Sequence, residues 1–554
     1  LRSERAKLTE ELRSLRRRQG ELDDAQAYVD ALAQISIYTR TRLDYERTIV
    51  RLTAEQKQVL SQISLDHDFL VKGAAGTGKT LVLLKAIETA KGVQTPGGQG
   101  ELDIPEIQGS VALLTYTNTL VKYDRYLSSI MLHEQLDDGD RIAIADQFLL
   151  ERLQEIAPGA RIAFKREELD PLLPQKLPPG FTATDFLAEL EQVIWARGAT
   201  REQYVDRMMD RPGMKKAVGR NGRAAVWDAA GAFAAAMERE RLYARGFAAK
   251  RVVEAVQGAS AGARAAAGAT GLSPAAETEG APETEGAPGL SPAPETSPAP
   301  ETPTRFDYIF IDEAQDLPAI VLRALKACAR RCVLLAGDAD QSIYQPGFTF
   351  RQAGIDIQGR TRILRTNFRN TVQIHEKAEA FRQTVPGLDG ENQPDAFRDG
   401  PQPEVFQTAD SRSLAELLLS RLRIFTETLG YERENVCVLV PTKQSYETIQ
   451  AVLEPAGYSL ARIRDPGFSF SENRAVRIST LHSAKGLDFP VVLLFLPQSP
   501  FVGSDLEPHS ADRMRRNLLY VASTRAMDHL NIFTLDPPPD AAIADLLTCF
   551  RGHA

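Results

Sequence analysis

The sequence predicts an α/β protein of two parallel-sheet domains with flanking helices, the first domain interrupted by a helical insertion and preceded by a helical extension. Three observations predict this. Apolar runs of strand length alternate with helical stretches along most of the 554 residues, the pattern of doubly covered parallel sheets. A glycine-rich motif joins one such run to a helix at Val71–Ala86, VKGAAGTGKTLVLLKA. A low-complexity break then divides the runs into an earlier and a later series. The length accommodates two to four domains, each with its own core.

Residues 1–50 form the extension. Leu8, Leu12, Leu15 and Leu22 recur at helical intervals among dense charge, which fits half of a coiled-coil hairpin or a helix packed on the main body. The first domain takes residues 51–150, where DFLVKG, SVALLTYT and RIAIAD are the strands. An Ala-, Arg- and Glu-rich helical insertion follows over 151–257. Residues 258–304 repeat ETEGAP and SPAPET. Such Pro, Gly, Ala and Glu sequence lacks the large apolar residues needed to offset the entropy of ordering, so a disordered linker is expected. FDYIFID and CVLLAGD complete the first domain over 305–355. RILRTN, ENVCVLVP, AVRISTLH, VVLLFLP and HLNIFTL build the second over 356–535, and 536–554 is a C-terminal tail.

No apolar run reaches the ~18 residues of a membrane span, and the first thirty residues are charged rather than signal-like. Cys328, Cys332, Cys437 and Cys549 show no C-x-x-C pair, so reduced thiols in a cytoplasmic protein are expected, without zinc or an iron–sulfur cluster. Net charge is -8, but residues 271–304 contribute six glutamates and no Lys or Arg. The remainder is therefore near -2, and charge leaves a nucleic-acid partner open.

Gly73-Ala74-Ala75-Gly76-Thr77-Gly78-Lys79-Thr80 satisfies G-x-x-x-x-G-K-[ST] between a strand and a helix, the context that such a loop requires. Its backbone N–H groups would surround phosphates at the helix N-terminus. Lys79 would reach the β- and γ-phosphates, and Thr80 would ligate Mg²⁺. Asp307–Asp316, DYIFIDEAQD, supplies the acidic partner. Asp312 at the strand end would hold the metal, and Glu313 would orient and deprotonate water. The alternative, a surface Asp-Glu pair, leaves the phosphate loop without its acid.

DEAQD, GDADQSIY (Gly337–Tyr344), NFR (Asn367–Arg369), TLHSAKGLDF (Thr480–Phe489) and YVASTRA (Tyr520–Ala526) follow one another in the order seen in superfamily 1 helicases. The chain resembles the UvrD/PcrA/Rep type over about 51–150 and 305–535. The resemblance implies two RecA-like domains with ATP and Mg²⁺ between them and single-stranded or tailed duplex DNA across the top. It further implies 3′ to 5′ movement and a role in DNA repair or recombination. By the same resemblance Gln56 in LTAEQ reads adenine, and Gln341 senses the γ-phosphate. Arg369 and Arg525 act on that phosphate as charge stabilisers. Phe368 stands where a tyrosine usually stacks on adenine. Gly486 and Asp488 line the nucleotide, Asp488 replacing the usual ribose-binding glutamate with a shorter arm. On the DNA side, Tyr116, Thr117 and Asn118 would hold a strand by stacking and phosphate contacts, with Tyr116 capping a strand core as the lesser alternative. Thr480 and His482 lie on the same path, with Tyr344 or Phe348 as a base platform.

Thr480 lies only 111 positions after Arg369, too few for the large insertion that UvrD and PcrA carry there. Two further readings follow: a single-strand translocase that displaces proteins without processive unwinding, and a HelD-like factor that remodels RNA polymerase. Protein partners would then meet the N-terminal helix or the 258–304 linker.

Overall fold

A computed structural model describes residues 41, 52–74, 76–92, 109–131, 139–211, 214, 216–269, 303–337, 350–385, 395–472, 474–500 and 508–551. Apart from Thr41, the expected N-terminal extension lies outside these residues, as does the expected linker from 270 to 302.

The strands in chain order are β1 (Phe69–Gly73), β2 (Val111–Thr115), β3 (Arg141–Ile144), β4 (Arg161–Ala163), β5 (Leu242–Ala244), β6 (Phe306–Ile311), β7 (Ala329–Gly337), β8 (Thr361–Leu364), β9 (Thr366–Thr371), β10 (Asp395–Arg398), β11 (Glu404–Thr408), β12 (Val436–Val440), β13 (Leu460–Arg462), β14 (Val476–Thr480), β15 (Phe489–Leu496) and β16 (Ala526–Leu535). Two six-stranded sheets dominate, ordered β3-β2-β6-β7-β1-β8 and β11-β16-β15-β12-β14-β13. Every pairing in both is parallel. Helices cover both faces, so central strands are apolar without alternation: all eight residues of β15, FPVVLLFL, are buried. In the first sheet Tyr308 and Phe310 of β6 join one core, and Phe306, Ile309 and Ile311 join the other.

The helices that position the site are α1 (Ala54–Ser61), α2 (Lys79–Ala90), α3 (Asn118–Met131), α4 (Ala145–Ile156), α5 (Arg220–Glu240) and α6 (Arg245–Ala269), followed in the second lobe by α7 (Val372–Arg382), α8 (Pro508–Ser523) and α9 (Ala541–Arg551). α1 opens with a reciprocal cap: Gln56 N donates to Thr53 Oγ1, and Thr53 N donates to Gln56 Oε1. The insertion is helical as expected, with the small pair β4–β5 at its base.

Three boundaries differ from the sequence reading. α6 continues to Ala269, twelve residues into the segment expected to be a disordered linker, because AGARAAAGA is rich in the strongest helix former. RIL of RILRTN is not the first strand of the second domain. It is β8 and pairs with β1, Gly73 opposite Leu364. The expected tail contains α9, whose Ile543, Leu546, Leu547 and Phe550 are buried in the same core as Phe381 and Leu518.

Candidate functional site

β1 and β6 end at the same carboxyl edge of the first sheet with only β7 between them, the usual location for a ligand in an open α/β sheet. At the end of β1 the phosphate loop turns into α2. Gly76 and Gly78 have φ of +78° and +79°, the left-handed region that glycine enters without penalty. Both are also crowded: a Cβ on Gly78 would strike the Gln56 amide, and one on Gly76 would strike Asn367 and Asn370. Lys79 Nζ donates to Gly73 O at 2.8 Å and Ala74 O at 3.1 Å, which ties the loop to its own helix. Thr77 Oγ1 donates to Ala74 O at 2.9 Å.

At the end of β6, Thr80 Oγ1 donates to Asp312 Oδ2 at 2.6 Å, so the two expected metal ligands meet. Glu313 follows in the left-handed conformation, φ 51°. That turn aims its carboxylate back towards the loop and costs on the order of 1 kcal/mol for a residue with a Cβ. Its backbone N–H donates to Asp312 Oδ1 at 2.9 Å, and Gln315 Nε2 donates to its carboxylate.

The second lobe reaches the site through three segments. Lys485, 2 % exposed, donates to Asp316 Oδ2 at 2.5 Å and lies 3.9 Å from Glu313 Oε2. β15 and β16 start side by side, Phe489 N donating to Arg525 O at 2.9 Å, which sets Asp488 beside Arg525. Asp488 forms ion pairs with both Arg369 and Arg525, the latter at 3.8 Å. Arg525 also donates to Val521 O, Leu487 O and Thr524 Oγ1. β9 carries Arg369 and is fastened at both ends: Asn370 Nδ2 donates to Thr524 O and Ala526 O, and Phe368 N donates to Gly76 O at 3.3 Å.

Electrostatics tie these groups together. Burial and the neighbouring Glu313 push the Asp312 carboxyl up to about 6. Burial alone would raise Glu313 too, but Lys485, Lys79, the Gln315 hydrogen bond and Arg525 together hold it below the usual range. Lys79 and Arg525 thus act on one carboxylate. Burial lowers Arg525 to about 10, still charged at neutral pH. A third acid, Asp124 on α3, is 0 % exposed, and neither of its oxygens has a hydrogen-bond partner. Burial, then Asp312 and Glu313, raises its pKa well above the ordinary value.

Two family models match segments of the chain that contribute to this site. The family model described as the UvrD/REP helicase N-terminal domain matches residues 295–361, and that of the UvrD-like helicase C-terminal domain matches 463–536. The chain carries UvrD-like helicase domains. Such domains imply ATP-dependent helicase activity on DNA. No curated protein matches the chain. Among solved structures, the C-terminal domain of a possible DNA helicase from Lactobacillus plantarum WCFS1 is 18 % identical, covering 32 % of this chain and 92 % of that one. Its TM-score is 0.24, a likeness too weak to bear on the fold.

Several site residues expected from the helicase resemblance take roles within the protein. Both ends of the Gln56 amide are engaged, Oε1 by Thr53 N and Nε2 by Thr77 O at 2.8 Å. Gly486 has φ +78°, and a Cβ there would collide with Leu120 of α3, so its glycine lets the lobes approach. Phe368 is half-buried against the loop backbone. Tyr116, at the carboxyl end of β2, is half-buried beneath the Arg245 guanidinium of α6, 5.8 Å from the ring centroid. Thr117 Oγ1 accepts from Leu120 N at 3.2 Å, and Asn118 is exposed. Thr480 Oγ1 bonds Ser483 at the carboxyl end of β14, and burial lowers the pKa of His482. Ala75, Gln341, Tyr344 and Phe348 lie outside the described residues.

Six residues at or beside this site carried no role in the sequence reading. Lys485 and Asp316 stand inside the quoted motifs TLHSAKGLDF and DEAQD, so their charge was the available signal. Asn367 and Asn370 flank Arg369 and were visible only as polar residues in an apolar setting. Arg245 and Asp124 gave no signal, because each acts through a partner distant in sequence.

Proposed function

We propose that this chain is an ATP-driven motor on single-stranded DNA, moving 3′ to 5′ and coupling hydrolysis to movement of the strand. The observation that carries the reading is the reach of Lys485, from the second lobe, to Asp316 and Glu313, directly beside the Thr80–Asp312 pair of the phosphate loop. A triphosphate between the lobes would lie against the phosphate loop on one side and against Arg369 and Arg525 on the other.

The donor set fits a hard divalent cation. Thr80 and Asp312 would hold Mg²⁺, whose charge would relieve the buried Asp312–Glu313 pair and offset negative charge on the phosphates. Glu313, held below the usual carboxylate range, is unprotonated at neutral pH. It accepts a proton from water as the water oxygen bonds to the γ-phosphorus and the bond to the ADP oxygen breaks. Lys79, Arg369 and Arg525 stabilise the charge that spreads over the γ-phosphoryl oxygens. When phosphate leaves, the arginines lose their anion and the lobes separate. Tyr116, Thr117 and Asn118 on one lobe and Thr480 and His482 on the other stand at carboxyl edges, where a strand bound to both would be drawn along.

Phosphate release measured with and without single-stranded DNA tests this reading. Strong stimulation by DNA, abolished in Glu313→Gln, is expected. Stimulation by RNA polymerase but not by DNA would overturn it, as would a Glu313→Gln variant of near-normal rate.

A further inference from the structure

The resemblance to UvrD-type helicases assigns residue 488 to the ribose. Its side chain is committed elsewhere. Asp488 is 1 % exposed, and its carboxylate faces two guanidinium groups, Arg369 from β9 and Arg525 from the start of β16. The backbone enforces this meeting. The Phe489–Ala526 pairing sets Asp488 next to Arg525, and the Asn370 bonds to Thr524 O and Ala526 O bring Arg369 to the same place. Both arginines are the groups that would act on the γ-phosphate.

We propose that Asp488 is a positioning residue that serves as a stand-in anion, pairing with Arg369 and Arg525 until a γ-phosphate replaces it, so that it sets the preference of the cleft for triphosphate over diphosphate. The inference rests on the ATP-site reading above and deepens it. A buried cation without an anion is costly, so a carboxylate or a phosphate facing the two guanidinium groups stabilises their charge. Chemistry also favours the exchange. A γ-phosphate offers three oxygens and more negative charge than one carboxylate, and guanidinium forks suit it. ADP brings no group to this position and cannot displace Asp488. The aspartate arm is one methylene shorter than glutamate, which keeps the carboxylate with the arginines at the strand starts. Arg525 does not depend on Asp488 for its place, since Val521 O, Leu487 O and Thr524 Oγ1 also hold it.

The test compares a fluorescent non-hydrolysable ATP analogue with ADP, in the presence of Mg²⁺, on the full chain and on Asp488→Asn. Removing the competing anion is expected to tighten triphosphate binding by roughly tenfold, with ADP affinity changed less than about twofold. In the unmodified chain, 2′,3′-dideoxy-ATP is expected to bind as ATP does, a measurement that needs no variant to fold. Equal weakening of both nucleotides in Asp488→Asn, or a clear penalty for the dideoxy nucleotide, would put the carboxylate on the ribose and overturn the proposal. A lower melting temperature with an unchanged ATP-to-ADP ratio would reduce Asp488 to a structural ion pair and overturn it equally. Failure of the unmodified chain to bind any nucleotide would sink the ATP-site reading itself, and this inference with it.

Discussion

The two lobes hold their reactive charges by different means. In the first, Lys79 rests on two loop carbonyls and Asp312 on a threonine hydroxyl, all neutral partners that a phosphate or a cation can outbid at small cost. In the second, Arg369 and Arg525 rest on a charged partner, Asp488. One side exchanges a dipole for an ion; the other must exchange one ion for another.

Breaking the second side should give the largest effect on catalysis. Arg525→Ala is expected to lower the turnover number by about 10³-fold or more, the range of an arginine finger, with a much smaller change in KM. Steady-state phosphate release checks this, and a loss confined to KM would return Arg525 to a binding role. Lys485 sharpens the comparison because it crosses between the lobes. Lys485→Met leaves the buried Asp316 without its cation, which should cost about 3–5 kcal/mol of stability, read by denaturant unfolding. The same variant removes a cation that holds Glu313 down, so the acidic limb of the rate–pH profile should move to higher pH.

A smaller effect is expected where the strand would lie. Tyr116→Ala should weaken single-stranded DNA binding by about 1–3 kcal/mol, the range for one stacked base, with nucleotide affinity unchanged. Fluorescence anisotropy at fixed salt measures it. The smallest effect concerns Asp124. Its carboxyl and that of Asp312 have folded-state values above the ordinary 3.8, so the native metal-free protein holds more protons than the unfolded chain. These groups therefore favour folding below about pH 4, and that contribution falls as pH rises, through about 6 for Asp312. Asp124→Asn leaves a buried polar group in place but removes its titration, so metal-free stability followed against pH should decline less steeply than in the unmodified chain. A steeper decline in the variant would show that the carboxylate is stabilising.

The sequence exposed the parts of this site that are local. A phosphate loop is a contiguous run with its glycines in place, and β6 announces Asp312 and Glu313 by ending an apolar stretch in acid. The tertiary parts were hidden for a physical reason. Gln56 has a second task that its sequence position did not show, since its amide closes the Thr53 cap and holds Thr77 O. The strand β8 looked like the start of the second sheet because strand sequence does not specify which neighbour it pairs with. α6 outran its expected end because composition averaged over 258–304 concealed an alanine-rich first part.

The crossing from β8 to β9 takes a single residue, Arg365, between Leu364 of the first sheet and Thr366 in the second lobe. Glu55 of α1 accepts the backbone N–H groups of both Arg365 and Thr366, at 2.7 and 3.1 Å, and Leu364 lies opposite Gly73 at the root of the phosphate loop. The pivot available to this crossing is therefore short, braced and adjacent to the triphosphate seat. With the fulcrum so close to the chemistry, a slight rearrangement around the phosphate swings through a longer arc in the parts of the second lobe farther from it.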